Sequence, residues 1–183
     1  MTPNEYTLMI SHARVNGAIM GLIWVASFFC FAFARINPML SIAFDISIIC
    51  IPFIATAMLR KYCLATPEKS VSFGRAYFYL MTMFFHAILI FALGQWIYFQ
   101  FLDNGTLLGG MMDMVSSPEY VAVLKAYNMN KDDVTQQLQA LMETRPIDFA
   151  LSFMWMNIFA TSILSVFVAL FGRIRKPSGG SPS

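Results

Sequence analysis

Four long apolar stretches divide the chain, and each is long enough to cross a membrane as a helix. A bilayer's hydrocarbon core is about 30 Å thick, and a helix of about 20 residues crosses it at 1.5 Å per residue. The clearest stretch has no Lys, Arg, Asp or Glu from Ala76 to Leu102. The predicted spans are residues 13–34, 38–59, 76–102 and 147–171. The pattern predicts an all-α membrane protein, a four-helix transmembrane bundle in a single integral membrane domain.

The first apolar stretch carries two signals that need interpretation. Ala32-Phe33-Ala34 resembles the small-residue cleavage site of a signal peptide. The polar lead before the stretch lacks a clearly basic region, so we interpret the stretch as a retained transmembrane helix. Gly17 and Gly21 form a GxxxG pair, which would let another helix approach closely. Because glycine is common in membrane helices, the pair is equally consistent with no packing role.

The basic residues predict an orientation, because cytoplasmic loops carry an excess of Lys and Arg. With four spans, eight basic residues share the side of both termini, and four lie on the other side. The first group is Arg14, Arg60, Lys61, Lys69, Arg75, Arg173, Arg175 and Lys176, and the second is Arg35, Lys125, Lys131 and Arg145. Both termini, including the tail 172–183, are therefore predicted to be cytoplasmic, with the insert 103–146 on the opposite side.

The insert 103–146 is polar but carries helical signals. Gly109-Gly110 indicates a flexible joint. Ser116 and Glu119 have the spacing of a capping box that opens one helix, and Asn130 can open a second. The insert therefore predicts an extracytoplasmic hairpin of two amphipathic helices between the third and fourth spans.

The second predicted helix of the hairpin carries an apolar stripe at helical spacing. Its members are Val134, Leu138, Leu141 and Met142. Such stripes usually face a core, which favours packing of the hairpin onto itself and the ends of the spans. The alternative is that this stripe binds a partner.

A methionine-rich segment precedes the hairpin, at Met111, Met112 and Met114. Thioether sulfur is a soft ligand suited to Cu(I). No His or Cys lies nearby in the sequence, so we interpret the segment as an apolar surface and predict no metal site.

A few polar residues interrupt the predicted spans. Asp45, His86 and Asn157 form a candidate intramembrane polar cluster, because His86 and Asn157 fall at similar depth and such residues tend to face an interior partner. Gln95 lies nine residues beyond His86 and points to the opposite helix face. The cluster is either a proton relay or ion site, or a set of interhelical hydrogen bonds that fixes packing, and we favour packing.

Composition narrows the class of protein further. The chain is 58% hydrophobic and 12% charged, whereas soluble domains are roughly 45–50% apolar and roughly 25% charged. A net charge of +2 gives no basis for binding nucleic acid. Its three cysteines lack metal or disulfide spacing, and zinc-protease, nucleophile-elbow and phosphate-loop motifs are missing. We therefore predict no enzyme activity, no cofactor and no metal.

Several sequence features resemble one family of bacterial membrane proteins. They are Gly17 and Gly21 in the first span, Ser72–Tyr77 before the third, Trp96–Phe99 and Asp103–Gly105 after it, the Gln-rich second insert helix and the basic tail. In these the chain resembles the domain of unknown function 4199 family, known mainly from Bacteroidota. The resemblance implies four spans and the inner membrane of a Gram-negative bacterium, and it assigns no activity or binding residue.

Two functions remain from the sequence. The first is a non-enzymatic scaffold or accessory subunit that lies in the bilayer and binds another membrane or envelope component. The alternative is a small transporter or channel, built from a homo-oligomer, with Asp45 and His86 on its pathway.

Overall fold

The structure, a computed structural model, describes residues 3–34 and 36–174. Within these residues the backbone is mostly helical, and short non-helical segments connect the helices. The helices are α1 (Pro3–Ala32), α2 (Met39–Ala65), α3 (Phe73–Ile97), α4 (Thr106–Ser116), α5 (Pro118–Ala126), α6 (Lys131–Glu143) and α7 (Pro146–Gly172). A π-helical turn, Tyr98–Leu102, extends α3.

Four of the described helices are long and apolar enough to cross a membrane, which confirms the predicted all-α membrane bundle. They are α1, α2, α3 with its π-helical turn, and α7, each with a mean hydropathy of at least 1.9 in its most apolar window. α1 begins before its predicted span and α2 ends after its own, because backbone hydrogen bonding does not stop where charged side chains begin. The polar lead is thus the first part of α1, which begins at Pro3. Arg35, Arg175 and Lys176 lie outside the described residues.

The chain divides into two compact units, and α3 and α7 contribute to both. The first unit comprises residues 1–91 and 154–183. Its core is built from buried residues of all four long helices. Among them are Met9, Met20, Leu59, Tyr62, Tyr79, Leu80, Met83, Phe84, Val168 and Ala169.

The second unit, residues 92–153, holds three short helices rather than the predicted two. Gly109-Gly110 is not a joint but lies inside α4, where neither residue interrupts the helix. α4 packs against α5 and against α6. The two predicted helices are α5 and α6, and the structure adds α4, which contacts both.

The caps of the short helices follow from short polar side chains. Ser117, and not Ser116, caps α5, with its hydroxyl accepting a hydrogen bond from the Tyr120 amide at 3.3 Å. Asn130 caps α6 as predicted, with its side-chain oxygen accepting from the Asp132 amide at 3.1 Å. The sequence signal for each helix start was correct to within one residue.

Candidate functional site

Gly17 and Gly21 lie where α1 meets α3. A Cβ on Gly17 would lie 2.5 Å from the Met83 carbonyl oxygen, and one on Gly21 would lie 2.9 Å from the Ala87 carbonyl oxygen. Both separations are closer than a carbon and an oxygen can approach without a shift of the backbone. The two glycines therefore let the helix backbones approach closely at the centre of the first unit.

His86 lies at the same contact and is half-buried. Its Nδ1 atom is 2.7 Å from the Thr82 carbonyl oxygen, one turn earlier on α3. The Cβ added to Gly17 would also come within 2.8 Å of the His86 Cβ. The histidine therefore contributes to the packing between α1 and α3, and its Nδ1 contact runs along its own helix.

Asp45 requires a correction, because the structure places it at an exposed position on α2 and not in the interior. The buried residues of α2 all lie in its second half, from Ala55 to Cys63. The depth estimate fixed how far Asp45 lies along the helix but not which face it occupies. No hydrogen bond joins Asp45 to His86 in the part of the chain that the structure describes. Asn157 is half-buried on α7, and its carbonyl oxygen accepts from the Thr161 hydroxyl at 2.7 Å.

A polar cluster that the sequence did not reveal joins three helices of the first unit. Arg75, in the first turn of α3, donates from Nε to the Tyr62 hydroxyl at 3.0 Å. Its Nη1 donates to the Glu5 carboxylate at 3.3 Å, and the two side chains are 16% and 26% exposed. The shielded ion pair connects the beginning of α1 to the beginning of α3, and the tyrosine adds α2.

A pair of stacked tyrosines continues the cluster toward the core. The rings of Tyr62 and Tyr79 are parallel, with centroids 4.4 Å apart. The Tyr79 hydroxyl accepts from the Asn16 side-chain amide at 2.7 Å and donates to the Met58 carbonyl at 3.4 Å. His12 lies beside Tyr62, with ring centroids 6.0 Å apart. The hydrogen bonds from Arg75, Asn16 and Tyr79 each join two different helices. The cluster therefore stabilises the arrangement of α1, α2 and α3.

One signal in the sequence could have found this cluster. Glu5, His12 and Asn16 lie on one face of a helix, at spacings of seven and four residues. The pattern is visible only if the polar lead is read as helical. When residues 1–14 are treated as a segment outside the helix, the sequence gives no reason to place Glu5 on the same face as His12 and Asn16.

A second group of polar contacts lies in the second unit, where the Asp103 carboxylate accepts hydrogen bonds from two neighbours. It is 3% exposed, and its Oδ1 accepts from the Tyr98 hydroxyl at 2.9 Å and from the Leu107 amide at 2.8 Å. The carboxylate thereby satisfies an amide of the first turn of α4, where the helix dipole also favours a negative charge. The chain reaches α4 through Gly105, whose φ of +77° is readily adopted only by glycine.

The predicted apolar stripe of α6 divides into two parts. Leu138 is buried with Val115 and Leu124, and Val134 packs against the same small core. Leu141 and Met142 are instead 39% and 46% exposed. Val134 and Leu138 therefore hold the second unit together, whereas Leu141 and Met142 are exposed to contact with a partner.

Leu141 and Met142 line an open cavity of about 180 Å³ in the second unit. Its apolar wall also includes Phe99, Leu108 and Phe149. The rings of Phe99 and Phe149 pack edge to face, with centroids 4.4 Å apart. A cavity of this size has room for one large apolar side chain.

The methionine-rich segment is part of α4. Met111 and Met112 pack against the small core of the second unit, and Met114 is 49% exposed. Two of the three methionines thus pack against a core within a helix, so the interpretation of the segment as an apolar surface holds only for Met114.

The fold and these sites define a multi-pass, all-α membrane protein. The chain matches the family model described as "Protein of unknown function (DUF4199)" over residues 16–173, and it belongs to that family. The match confirms the resemblance seen in the sequence. No curated protein and no solved structure matches the chain.

Proposed function

We propose that the chain is a non-enzymatic accessory protein that binds an apolar segment of another membrane or envelope component through its second unit. The observation that carries the proposal is the exposure of Leu141 and Met142 on the wall of an apolar cavity. Val134 and Leu138 of the same stripe pack in the small core of the second unit, whereas these two residues do not. An aromatic or leucine side chain inserted by a partner would fill a cavity of about 180 Å³.

The proposed setting is the inner membrane of a Gram-negative bacterium. The excess of Lys and Arg on one side supports cytoplasmic termini and an extracytoplasmic second unit. In this orientation the cavity is open to envelope components and to the outer ends of other membrane proteins.

The rival function, an oligomeric transporter or channel, has less support. It requires Asp45 and His86 on one pathway, but Asp45 is exposed on α2, and the Nδ1 of His86 contacts a carbonyl of its own helix. The polar clusters that do connect helices lie around Arg75 and Asp103, and neither includes Asp45 or His86.

The proposal is tested by affinity purification of the tagged full chain from native membranes in a gentle detergent, followed by mass spectrometry. We expect a co-purifying component that is lost with the double substitution Leu141→Gln and Met142→Gln. Tyr127→Gln is the matched control, since Tyr127 is 76% exposed in the same unit but does not line the cavity. Purification of the chain alone, or equal recovery of partners by both variants, would contradict the proposal.

A further inference from the structure

We propose that the cavity beside Leu141 and Met142 receives a basic side chain, arginine or lysine, from the partner segment, and that its charged group binds the Asp103 carboxylate. The inference rests on the proposed function and deepens it, because it names the chemistry of the side chain that the partner inserts. A cavity of about 180 Å³ admits a leucine, aromatic or basic side chain by size alone. The polar groups of the cavity wall decide among them.

The Asp103 carboxylate is buried, and only one of its oxygens is satisfied. The residue is 3% exposed and belongs to the cavity wall. Its Oδ1 accepts hydrogen bonds from the Tyr98 hydroxyl, the Leu107 amide and, at 3.4 Å, the Thr106 hydroxyl. Its Oδ2 accepts none from the residues that the structure describes. A buried acceptor without a donor is unfavourable, so an occupant that supplies a donor is favoured.

Oδ2 of Asp103 is the acceptor that the cavity presents. The described residues include a few fully enclosed side-chain atoms that lack a partner, and Oδ2 is not one of them. The atom therefore keeps some accessible surface, and the cavity is the space that Asp103 lines. A donor that enters the cavity can reach this oxygen without displacing the hydrogen bonds on Oδ1.

The negative charge of Asp103 has no partner among the described residues of the second unit. The ion pair in that unit joins Arg145 to Asp148. Arg145 is close to the cavity wall in sequence, but its guanidinium binds the Asp148 carboxylate through two nitrogens, at 2.6 and 3.2 Å. Because buried charges in proteins are usually paired, the carboxylate favours a cationic occupant.

The charge of the whole second unit favours the same occupant. Residues 92–153 hold seven of the ten acidic residues of the chain and three of its twelve basic residues, a net charge of −4. A surface of this sign attracts a basic segment and accelerates its association. An inserted leucine would leave the Asp103 charge unpaired, and a tyrosine or tryptophan would supply a hydrogen bond without an opposite charge.

The remaining walls of the cavity match both parts of a basic side chain. Phe99 and Phe149 offer aromatic rings, and a guanidinium or ammonium group within about 6 Å of a ring face is attracted to it. Leu108, Leu141 and Met142 offer apolar surface for the methylene stem. The cavity can therefore hold the stem and the charged head of one arginine or lysine at the same time.

The test measures binding of two small probes to the purified full chain in detergent by saturation-transfer NMR. The probes are N-butylguanidinium, which carries the charged group of arginine, and N-butylurea, its neutral isostere. Asp103→Asn keeps the oxygen that accepts from Tyr98 and Leu107 but removes the charge. Glu143→Gln is the matched control, because it removes one charge from an exposed position of the same unit.

We expect the guanidinium to bind about tenfold more tightly than the urea, because charge-assisted hydrogen bonds are roughly twice as strong as neutral ones. The preference should disappear in Asp103→Asn and persist in Glu143→Gln. Equal binding of the two probes, no binding of the guanidinium, or an unchanged preference in Asp103→Asn would overturn the proposal.

A second variant keeps the proposal testable if Asp103→Asn is unstable. Met142 is 46% exposed on the cavity wall, so Met142→Trp should fill the cavity and leave the fold intact. This variant should also lose the guanidinium, and unchanged binding would show that the probe binds elsewhere. A co-purifying partner without a guanidinium preference would contradict only this inference. A guanidinium preference without a partner would contradict the proposed function and leave the cavity as a site for a small cationic ligand.

Discussion

The Arg75 guanidinium and the Glu5 carboxylate form an ion pair at 3.3 Å between residues that are 70 positions apart in the sequence. The same guanidinium holds the Tyr62 hydroxyl, so one side chain connects the three helices that begin or end beside it. We regard this contact as the principal polar link of the first unit.

Replacing Arg75 should destabilise the chain more than replacing Glu5. Arg75→Gln removes the guanidinium contacts to both Glu5 and Tyr62, whereas Glu5→Gln keeps the bond between Arg75 and Tyr62. Hydrogen bonds to charged groups contribute about 1.5–3 kcal/mol, so we expect a loss of about 2 kcal/mol for Arg75→Gln and roughly half of that for Glu5→Gln. The midpoint of thermal unfolding in detergent measures both, and equal effects would argue against the bond to Tyr62.

An exposed ion pair provides the control for that experiment. Arg145 and Asp148 are 2.6 Å apart at positions where both side chains are largely exposed. The hydrogen bond that Arg145 donates to the Asp148 carboxylate raises the pKa of Arg145 above its already high value. Any stabilisation from a raised pKa is present below the unfolded pKa and lost only as the pH rises above it, so it is constant at physiological pH. Arg145→Gln should leave the midpoint unchanged, since exposed pairs contribute little.

Gly17→Ala should separate α1 from α3. The added methyl group meets the Met83 carbonyl oxygen at 2.5 Å, and overpacking of this kind costs about 1–3 kcal/mol. Gly74→Ala is the matched change, because a Cβ there has no neighbour within 4 Å and alanine favours a helix. The two variants are compared by thermal unfolding in detergent, and a Gly17→Ala chain as stable as Gly74→Ala would show that the close contact is not required.

Leu138→Ala and Leu141→Ala should separate folding from binding in the second unit. Leu138 is 9% exposed within the small core, and truncation of a buried leucine costs about 2–5 kcal/mol. Leu141 is 39% exposed, so its truncation should leave the fold intact. Hydrogen exchange over residues 106–143 should increase only in Leu138→Ala. The opposite order, or equal exchange, would mean that the packing of α6 differs from the one described.

Asp103→Ala should loosen the start of α4. The change removes the acceptor for the Tyr98 hydroxyl and the Leu107 amide, at a cost of about 1–3 kcal/mol. Tyr98→Phe removes only one of these bonds and should have the smaller effect. Exchange of the amides in residues 106–109 reports the difference, and protection unaffected by either change would exclude a capping role.

The long helices could be predicted from the sequence because their signal is local. An uncharged stretch such as Ala76–Leu102 identifies a span without reference to any other part of the chain. The ends of the helices were harder to predict, because residues 3–14 are polar and yet form the first part of α1. Helix caps were found to within one residue for the same local reason, as Ser116 and Ser117 show.

The contacts between helices could not be predicted in the same way. The pairing of Arg75 with Glu5 depends on how α1 and α3 are aligned, which no local pattern states. Depth along a helix does not give the face, so Asp45 was expected in the interior and is exposed. Gly109-Gly110 predicted a flexible joint, but α4 continues through both glycines. Met111 and Met112 of the same helix pack against the small core, and tertiary packing overrides the low helix propensity of glycine.

The most direct test of the proposed function is photo-cross-linking from the cavity wall in native membranes. A photoreactive amino acid replaces Leu141 in one variant and Tyr127 in the control, and the adducts are identified by mass spectrometry after irradiation. We expect one dominant protein adduct, other than the chain itself, from position 141 and none of that identity from position 127. Adducts with lipid alone from position 141, or the same products from both positions, would contradict it.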